Sequence, residues 1–319
     1  MRADGPVLSS PSFTAWAVIL AGGDGVRLRP LTTLVAGDAR PKQFCSLLGD
    51  ETLLDRTRRR VDLLVRSDRQ VVAVSRPHEA YYRYLVDELA PGRLAVQPEN
   101  RDTGPGILYA LLQVRHLAGN VPVALFPSDH YVADDYAFVR HVRAALGVVQ
   151  RQSGLVALIG IEPSSAEVDY GWIEPGRVPL PTNPDVFPVR RFVEKPSAST
   201  ACELVARGCL WNSFVMAGWV DTLLNLIDRT APNLYRAFEP VRRAHGAPNE
   251  LAVLEQVYAK LPTISFAQRV LTRAAGCLVT LRARGLQWSD WGSPRRVVAS
   301  LRATNHAPPW LARVETEAG

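Results

Sequence analysis

The chain has 319 residues, 47% of them hydrophobic and 21% charged, with a net charge of +6 at neutral pH. These proportions are those of a globular protein. No run approaches the roughly 20 apolar residues of a membrane helix, so neither a membrane partner nor a spanning segment is expected. The four cysteines form no C-x-x-C pair and no metal-ligand spacing with histidine. They read as reduced, mostly buried thiols of a cytoplasmic protein. Residues 1–15 lack the basic flank and apolar core of a secretion signal and read as a disordered arm.

In chain order, near-continuous apolar runs predict strands at Trp16 to Leu20, Gln70 to Ser75, Arg93 to Gln97, Val121 to Phe126 and Leu155 to Ile161. Helical spacing lies between them at Thr52 to Val65, His78 to Leu89, Gly106 to Leu117 and Asp135 to Val149. This alternation predicts an α/β fold with a Rossmann-like, mainly parallel sheet flanked by helices. Ligands on such sheets bind beyond the carboxyl ends of the strands. Prolines from Pro175 to Pro188 mark a loop or hairpin before a strand at Val189 to Glu194. Helical stretches follow near Thr200 to Arg207, Val220 to Arg229, Leu234 to His245 and Glu250 to Lys260, then a strand near Cys277 to Leu281. No composition break separates a second domain. One catalytic domain over 16–296 with a substrate-binding subregion is expected, followed by a tail over 297–319.

Positive charge is carried almost wholly by arginine. Of 37 basic residues, all but Lys42, Lys195 and Lys260 are arginine. A lysine retained in such a chain is a candidate for a site needing a compact point charge on a thin stem. The arginines are scattered without interleaved aromatics, which argues against a nucleic-acid surface.

The segment AVILAGGDGVRLRPLT runs from a buried strand ending at Leu20 and Ala21 into Gly22, Gly23 and Gly25. Its backbone N–H groups can approach phosphate oxygens without obstruction. Arg27 follows at a distance that suits bidentate binding of outer phosphates. A dinucleotide fingerprint wants a third glycine opening a helix, whereas R-L-R-P follows here and Pro30 opposes an uninterrupted helix.

GGDGVRLRPLT resembles the signature loop of the sugar-1-phosphate nucleotidyltransferases, and RPKQF (Arg40 to Phe44) resembles a motif of the mannose-1-phosphate guanylyltransferases. The likeness continues at QPENRDTGPGI, FPSDH, YGWIE, FVEKP, WNS and WSDWGS, in order from Ala17 to Ser293. The resemblance implies GTP and a sugar 1-phosphate, such as α-D-mannose 1-phosphate, as partners. It implies Mg²⁺ as cofactor, held by Asp129 and Asp290. By the same likeness Lys42 would neutralise the triphosphate and Lys195 would hold the sugar phosphate, with Gly171, Glu194 and Asn212 around the sugar. Arg101 and Thr103 carry the likeness to the guanylyl branch. Tyr170, Trp172 and Trp211 are open between sugar contact and core.

Four positions depart from the family pattern. Val26 replaces a hydroxyl residue, Asp102 an asparagine, Phe214 a glycine and Ser265 an acid. Three alternatives stay open: the same reaction with another nucleotide or another hexose or heptose phosphate, a silent nucleotide-sugar-binding homologue, and, more distantly, a dinucleotide oxidoreductase. A homo-oligomer is also left open.

Overall fold

The computed structural model describes residues 14–181 and 183–313. Residues 1–13 of the expected arm and residues 314–319 of the expected tail lie outside the described residues, as does Thr182. Ala15, assigned to the arm by sequence, is 1% exposed and packs in the core.

Among the described residues eleven strands form, in chain order, β1 (Trp16–Leu20), β2 (Gln70–Ser75), β3 (Leu94–Gln97), β4 (Pro122–Pro127), β5 (Tyr131–Val132) and β6 (Val156–Ile161), then β7 (Gly171–Pro175), β8 (Val186–Glu194), β9 (Leu210–Trp219), β10 (Leu278–Ala283) and β11 (Trp288–Ser289). Nine of them make one sheet in the order β3-β2-β1-β4-β9-β6-β10-β8-β7, and β5 pairs with β11. Pairing is parallel across β3-β2-β1-β4 and between β6 and β10. It is antiparallel wherever β9, β8 or β7 joins.

The α/β architecture expected from the alternating runs is the one observed, and the parallel pairings among β1, β2, β3 and β4 fall where βαβ units were legible. The antiparallel strands are additions to it. β9 escaped periodicity because its run, LWNSFVMAGW, is buried on both faces and interrupted by polar residues. The proline-rich stretch forms the β7–β8 hairpin, with an irregularity between Glu174 and Pro175.

The sheet separates two cores by the period-two alternation of its strands. Trp16 and Val18 face a cluster with helices Thr103–Ala118 and Val220–Thr230. Ala17 and Ile19 face a second cluster with helices Leu53–Asp62, Asp135–Arg151 and Ala198–Ala206. Two helical expectations break into shorter pieces. The stretch 78–89 becomes Glu79–Tyr82 and Tyr84–Glu88, and 234–245 becomes Pro232–Ala237 and Glu239–Ala244. Pro240 lacks the N–H that would continue the helix through Phe238.

Pro30 does not prevent a helix. A 3₁₀ turn over Val26–Leu28 gives way to helix Arg29–Ala36, and Pro30 occupies its first turn. An N–H is not needed there. Likewise the expected boundary at 296/297 falls inside helix Pro294–Ala303. Val297, Leu301, Trp310 and Leu311 join Leu28, Leu31, Leu47 and Trp291 in a third core, and Trp310 Nε1 donates to the Leu47 carbonyl at 3.1 Å. Residues 297–313 thus close over the segment that carries the glycine loop. Leu301 is fully buried. We expect Leu301→Ala to lower the unfolding free energy by about 2–5 kcal/mol in a urea titration; a change below about 0.5 kcal/mol would show that this segment is a loose tail.

Candidate active site

The parallel strands β1, β2, β3 and β4 end on one edge of the sheet. A cleft of about 600 Å³ opens there. Its lining includes Leu20, Gly22, Gly23, Thr103, Asp129, Gly171, Glu194, Lys195, Asn212 and Asp290, which sequence reasoning had singled out from widely separated motifs.

The glycine loop is clamped from below. Gln43 Nε2 donates to the carbonyls of Ala21 at 3.0 Å and Gly23 at 2.6 Å, and Ser75 Oγ donates to that of Gly22 at 2.9 Å. In a trans peptide the N–H points opposite to the preceding carbonyl. Seating three successive carbonyls on the protein therefore leaves the N–H groups of residues 22–24 pointing away from these donors. Gly22 is required, since a Cβ would come within 2.5 Å of Gln97 Nε2. Gly25 has φ +57°, and its Cβ would lie 2.9 Å from the Lys42 backbone nitrogen. Gln43 went unrecognised in the sequence because a clamping amide has no spacing of its own. Asp24, the acid within this loop, is held by Asn100 Nδ2 at 2.8 Å and His78 Nε2 at 3.1 Å.

Lys42 sits under the cleft. Its side chain is 9% exposed, and Nζ lies 3.2 Å from Asp129 Oδ2 while donating to the carbonyls of Asp290 and, at 3.2 Å, Trp291. Burial alone would push the Asp129 carboxyl up, but the Lys42 ammonium, His130 and hydrogen bonding hold it below the usual carboxylate range. Burial lowers the basicity of His130, which packs edge-on against Trp288. Asp290 accepts from the Tyr170 hydroxyl at 3.1 Å and the Gly292 N–H at 2.8 Å. Arg296 Nε stands 3.1 Å from the same carboxylate. Tyr170 is thus a donor to Asp290. Burial raises its phenol well beyond the usual range, so it keeps its proton.

On the far wall, burial raises the Glu194 carboxyl, Lys195 opposes the rise and Asp102 adds to it. Gly171 makes room for this carboxylate, because a Cβ there would meet Glu194 Oε2 at 2.7 Å. Asn212 Oδ1 accepts from the Phe214 N–H at 3.2 Å, and the Phe214 ring lies 6.4 Å from that of Phe266. Trp172 is fully buried and Trp211 is 6% exposed; they belong to the core.

Two expected residues lie elsewhere. Arg27 is at the rim, 3.3 Å from Asp169. Arg101 is not among the lining residues and pairs with Glu99 at 2.7 Å. Thr103 is committed to the fold: its hydroxyl donates to Asp102 at 3.0 Å and accepts from the Phe266 N–H at 2.9 Å.

Backbone strain collects here. Among the described residues five non-glycines have positive φ: Asp102, Lys195, Phe214, Trp291 and Asn305. The first three line the cleft and Trp291 follows Asp290. Such conformations cost of order 1–3 kcal/mol each and cluster at functional sites.

Residues 16–305 match the Nucleotidyl transferase family, and the chain belongs to that family. Among its relatives, it is 32% identical over 289 residues to "Mannose-1-phosphate guanylyltransferase" of Escherichia coli K12, covering 87% of this chain and 58% of that protein. It is 28% identical over 280 residues to "Xanthan biosynthesis protein XanB" of Xanthomonas campestris, covering 86% and 57%. The chain therefore spans rather more than half the length of these relatives. A solved structure described as "mannose-1-phosphate geranyltransferase" from Thermus thermophilus superposes with a TM-score of 0.78 at 32% identity, over 93% of this chain and 81% of the other. No helix among the described residues is long and apolar enough to cross a membrane.

The clamp yields a direct test. Gln43→Ala removes two hydrogen bonds and strands two carbonyls. We expect a loss of about 2–3 kcal/mol in unfolding free energy, measured by denaturant titration.

Proposed function

We propose that the protein transfers a nucleoside monophosphate from a triphosphate to a sugar 1-phosphate with release of pyrophosphate, and that the pair is GTP and α-D-mannose 1-phosphate. One observation carries this reading. A single cleft joins a phosphate-accepting glycine loop, two acceptor carboxylates (Asp129 and Asp290) and a wall bearing Glu194, Lys195, Gly171 and Asn212. The names of the Escherichia coli relative and the Thermus thermophilus structure support the mannose phosphate, and that of the former supports the guanylyl group.

The reaction needs little proton chemistry. A sugar-phosphate oxygen is already anionic near neutral pH and attacks the α-phosphorus in line with the departing pyrophosphate. The obstacle is bringing two polyanions together, which positioning and charge neutralisation overcome. The N–H groups of Gly22, Gly23 and Asp24 would receive the triphosphate. Lys195 would hold the sugar phosphate, with Glu194 and Asn212 bonding to the sugar hydroxyls. Among the described residues no group of three or more His, Cys, Asp and Glu is arranged around a metal, and Asp129 and Asp290 offer hard oxygen donors. This donor set fits Mg²⁺ completed by phosphate oxygens and water, which when bound supplies positive charge to the reacting phosphate. The Lys42 ammonium, boxed by three oxygens, fixes where the two carboxylates stand. Phe214 narrows the sugar wall, and this favours a second reading with the same chemistry on another hexose or heptose phosphate.

A panel crossing GTP, UTP, dTTP and ATP with sugar 1-phosphates, read by pyrophosphate release, tests the assignment. We expect the highest kcat/KM with GTP and mannose 1-phosphate, and loss of turnover in excess chelator. UTP or dTTP giving the higher value would refute the guanylyl assignment. Lys42→Arg and Lys195→Arg should each cost on the order of 100-fold, since a guanidinium displaces its oxygen partners by about 1 Å. Lys260→Arg, outside the cleft lining, should behave as wild type.

A further inference from the structure

Both candidate cation ligands already face a basic side chain of the protein itself. Asp129 has Lys42 at 3.2 Å. Asp290 has Arg296, with Nε at 3.1 Å from Oδ1 and Nη2 at 3.4 Å from Oδ2. Arg296 lies on helix Pro294–Ala303, beyond the last sequence motif, and its side chain is 15% exposed. Its guanidinium stands 4.8 Å from the centroid of the Tyr170 ring, and its outer nitrogens reach Glu167 at 3.1 Å and Asp169 at 3.4 Å. A Cβ at Gly292 would approach both Asp290 Oδ2 and Arg296 Nη2 to 2.5 Å, so glycine is what lets these two groups meet.

Arg296 approaches Asp290 from behind. It is absent from the lining of the reaction cleft and instead lines a separate cavity of about 460 Å³ with Glu167, Tyr170 and Trp288. Its influence on the cleft therefore passes through Asp290. A guanidinium and a divalent cation draw on the same carboxylate charge, and at these distances the two compete strongly. With Lys42 and Arg296 in place the free protein presents two compensated carboxylates. A cation that arrives already bound to a triphosphate brings part of its oxygen shell and neutralises charge that the glycine loop then receives.

We propose that Arg296 is a positioning residue which fixes the orientation of Asp290 and suppresses capture of free divalent cations, so that the cation enters with the triphosphate. This rests on the function proposed above. Mn²⁺ binding to the substrate-free protein, followed by the electron paramagnetic resonance of unbound Mn²⁺, tests it without requiring turnover. The wild type should bind Mn²⁺ weakly, with a Kd in the millimolar range. Arg296→Met should bind on the order of tenfold more tightly while kcat falls, because Asp290 has lost its compensating cation and its orientation. Arg296→Lys should keep the weak binding, and Arg296→Gln should repeat the Met result if the Met variant folds poorly. The gain should vanish in Arg296→Met/Asp290→Asn. Unchanged or weaker Mn²⁺ binding in both neutral variants would overturn the proposal, as would a gain that survives loss of the Asp290 charge. Failure of the pyrophosphate assay alone would bear on the reaction and leave this binding comparison standing.

Discussion

The Lys42 ammonium is the contact on which the site depends. It draws Asp129, which follows β4, to the Asp290–Trp291 backbone beside the small β5–β11 sheet. Its own backbone lies against Gly25 at the end of the phosphate loop. Three segments more than 80 residues apart are thus registered by one buried charge. A lysine suits this position because a spherical ammonium can serve three oxygens converging from different directions, which a planar guanidinium cannot. The helix at the chain's C-terminal side closes the same arrangement: Trp291 stacks on Tyr131 at 4.9 Å and joins Leu301 and Trp310 in the third core.

The distribution of charge runs against the overall composition. The chain is net positive, yet the cleft is lined by Asp24, Asp102, Asp129, Asp169, Glu194 and Asp290 against Lys195. Lys42, Arg27 and Arg296 answer Asp129, Asp169 and Asp290 from outside the lining, and His78, whose basicity burial lowers, contacts Asp24. Under the proposed reaction a polyanionic substrate would meet oriented N–H groups and cations that compensate carboxylates, rather than a plain basic patch. Such preorganised charge costs no reorganisation when the reaction occurs.

The parts of this arrangement legible in the sequence were those with a period or a rigid spacing. β1 and β2 follow from apolar runs that the sheet buries on both sides, and the glycine loop follows from its place after β1. Asp129, Glu194 and Asp290 were visible as acids at strand ends or in short motifs. Arg296 and Gln43 act through tertiary contacts whose partners lie 6 to 129 positions away, so no local pattern announces them. Arg101 and Thr103 were visible through their spacing; Arg101 pairs with Glu99, while Thr103 lines the cleft and bonds to Asp102 and Phe266. Residues 297–313 were obscured because a single short amphipathic helix with two isolated apolar residues after it has the composition of a tail.

The coupling between Lys42 and Asp129 is the most direct measure of this account. A double-mutant cycle on unfolding free energy would compare Lys42→Met, Asp129→Asn and the pair. Leaving either charge alone should be costly, and the pair should cost about 1–3 kcal/mol less than the sum of the singles. Additive effects within about 0.5 kcal/mol would mean that the ammonium and the carboxylate stand close without holding the site together.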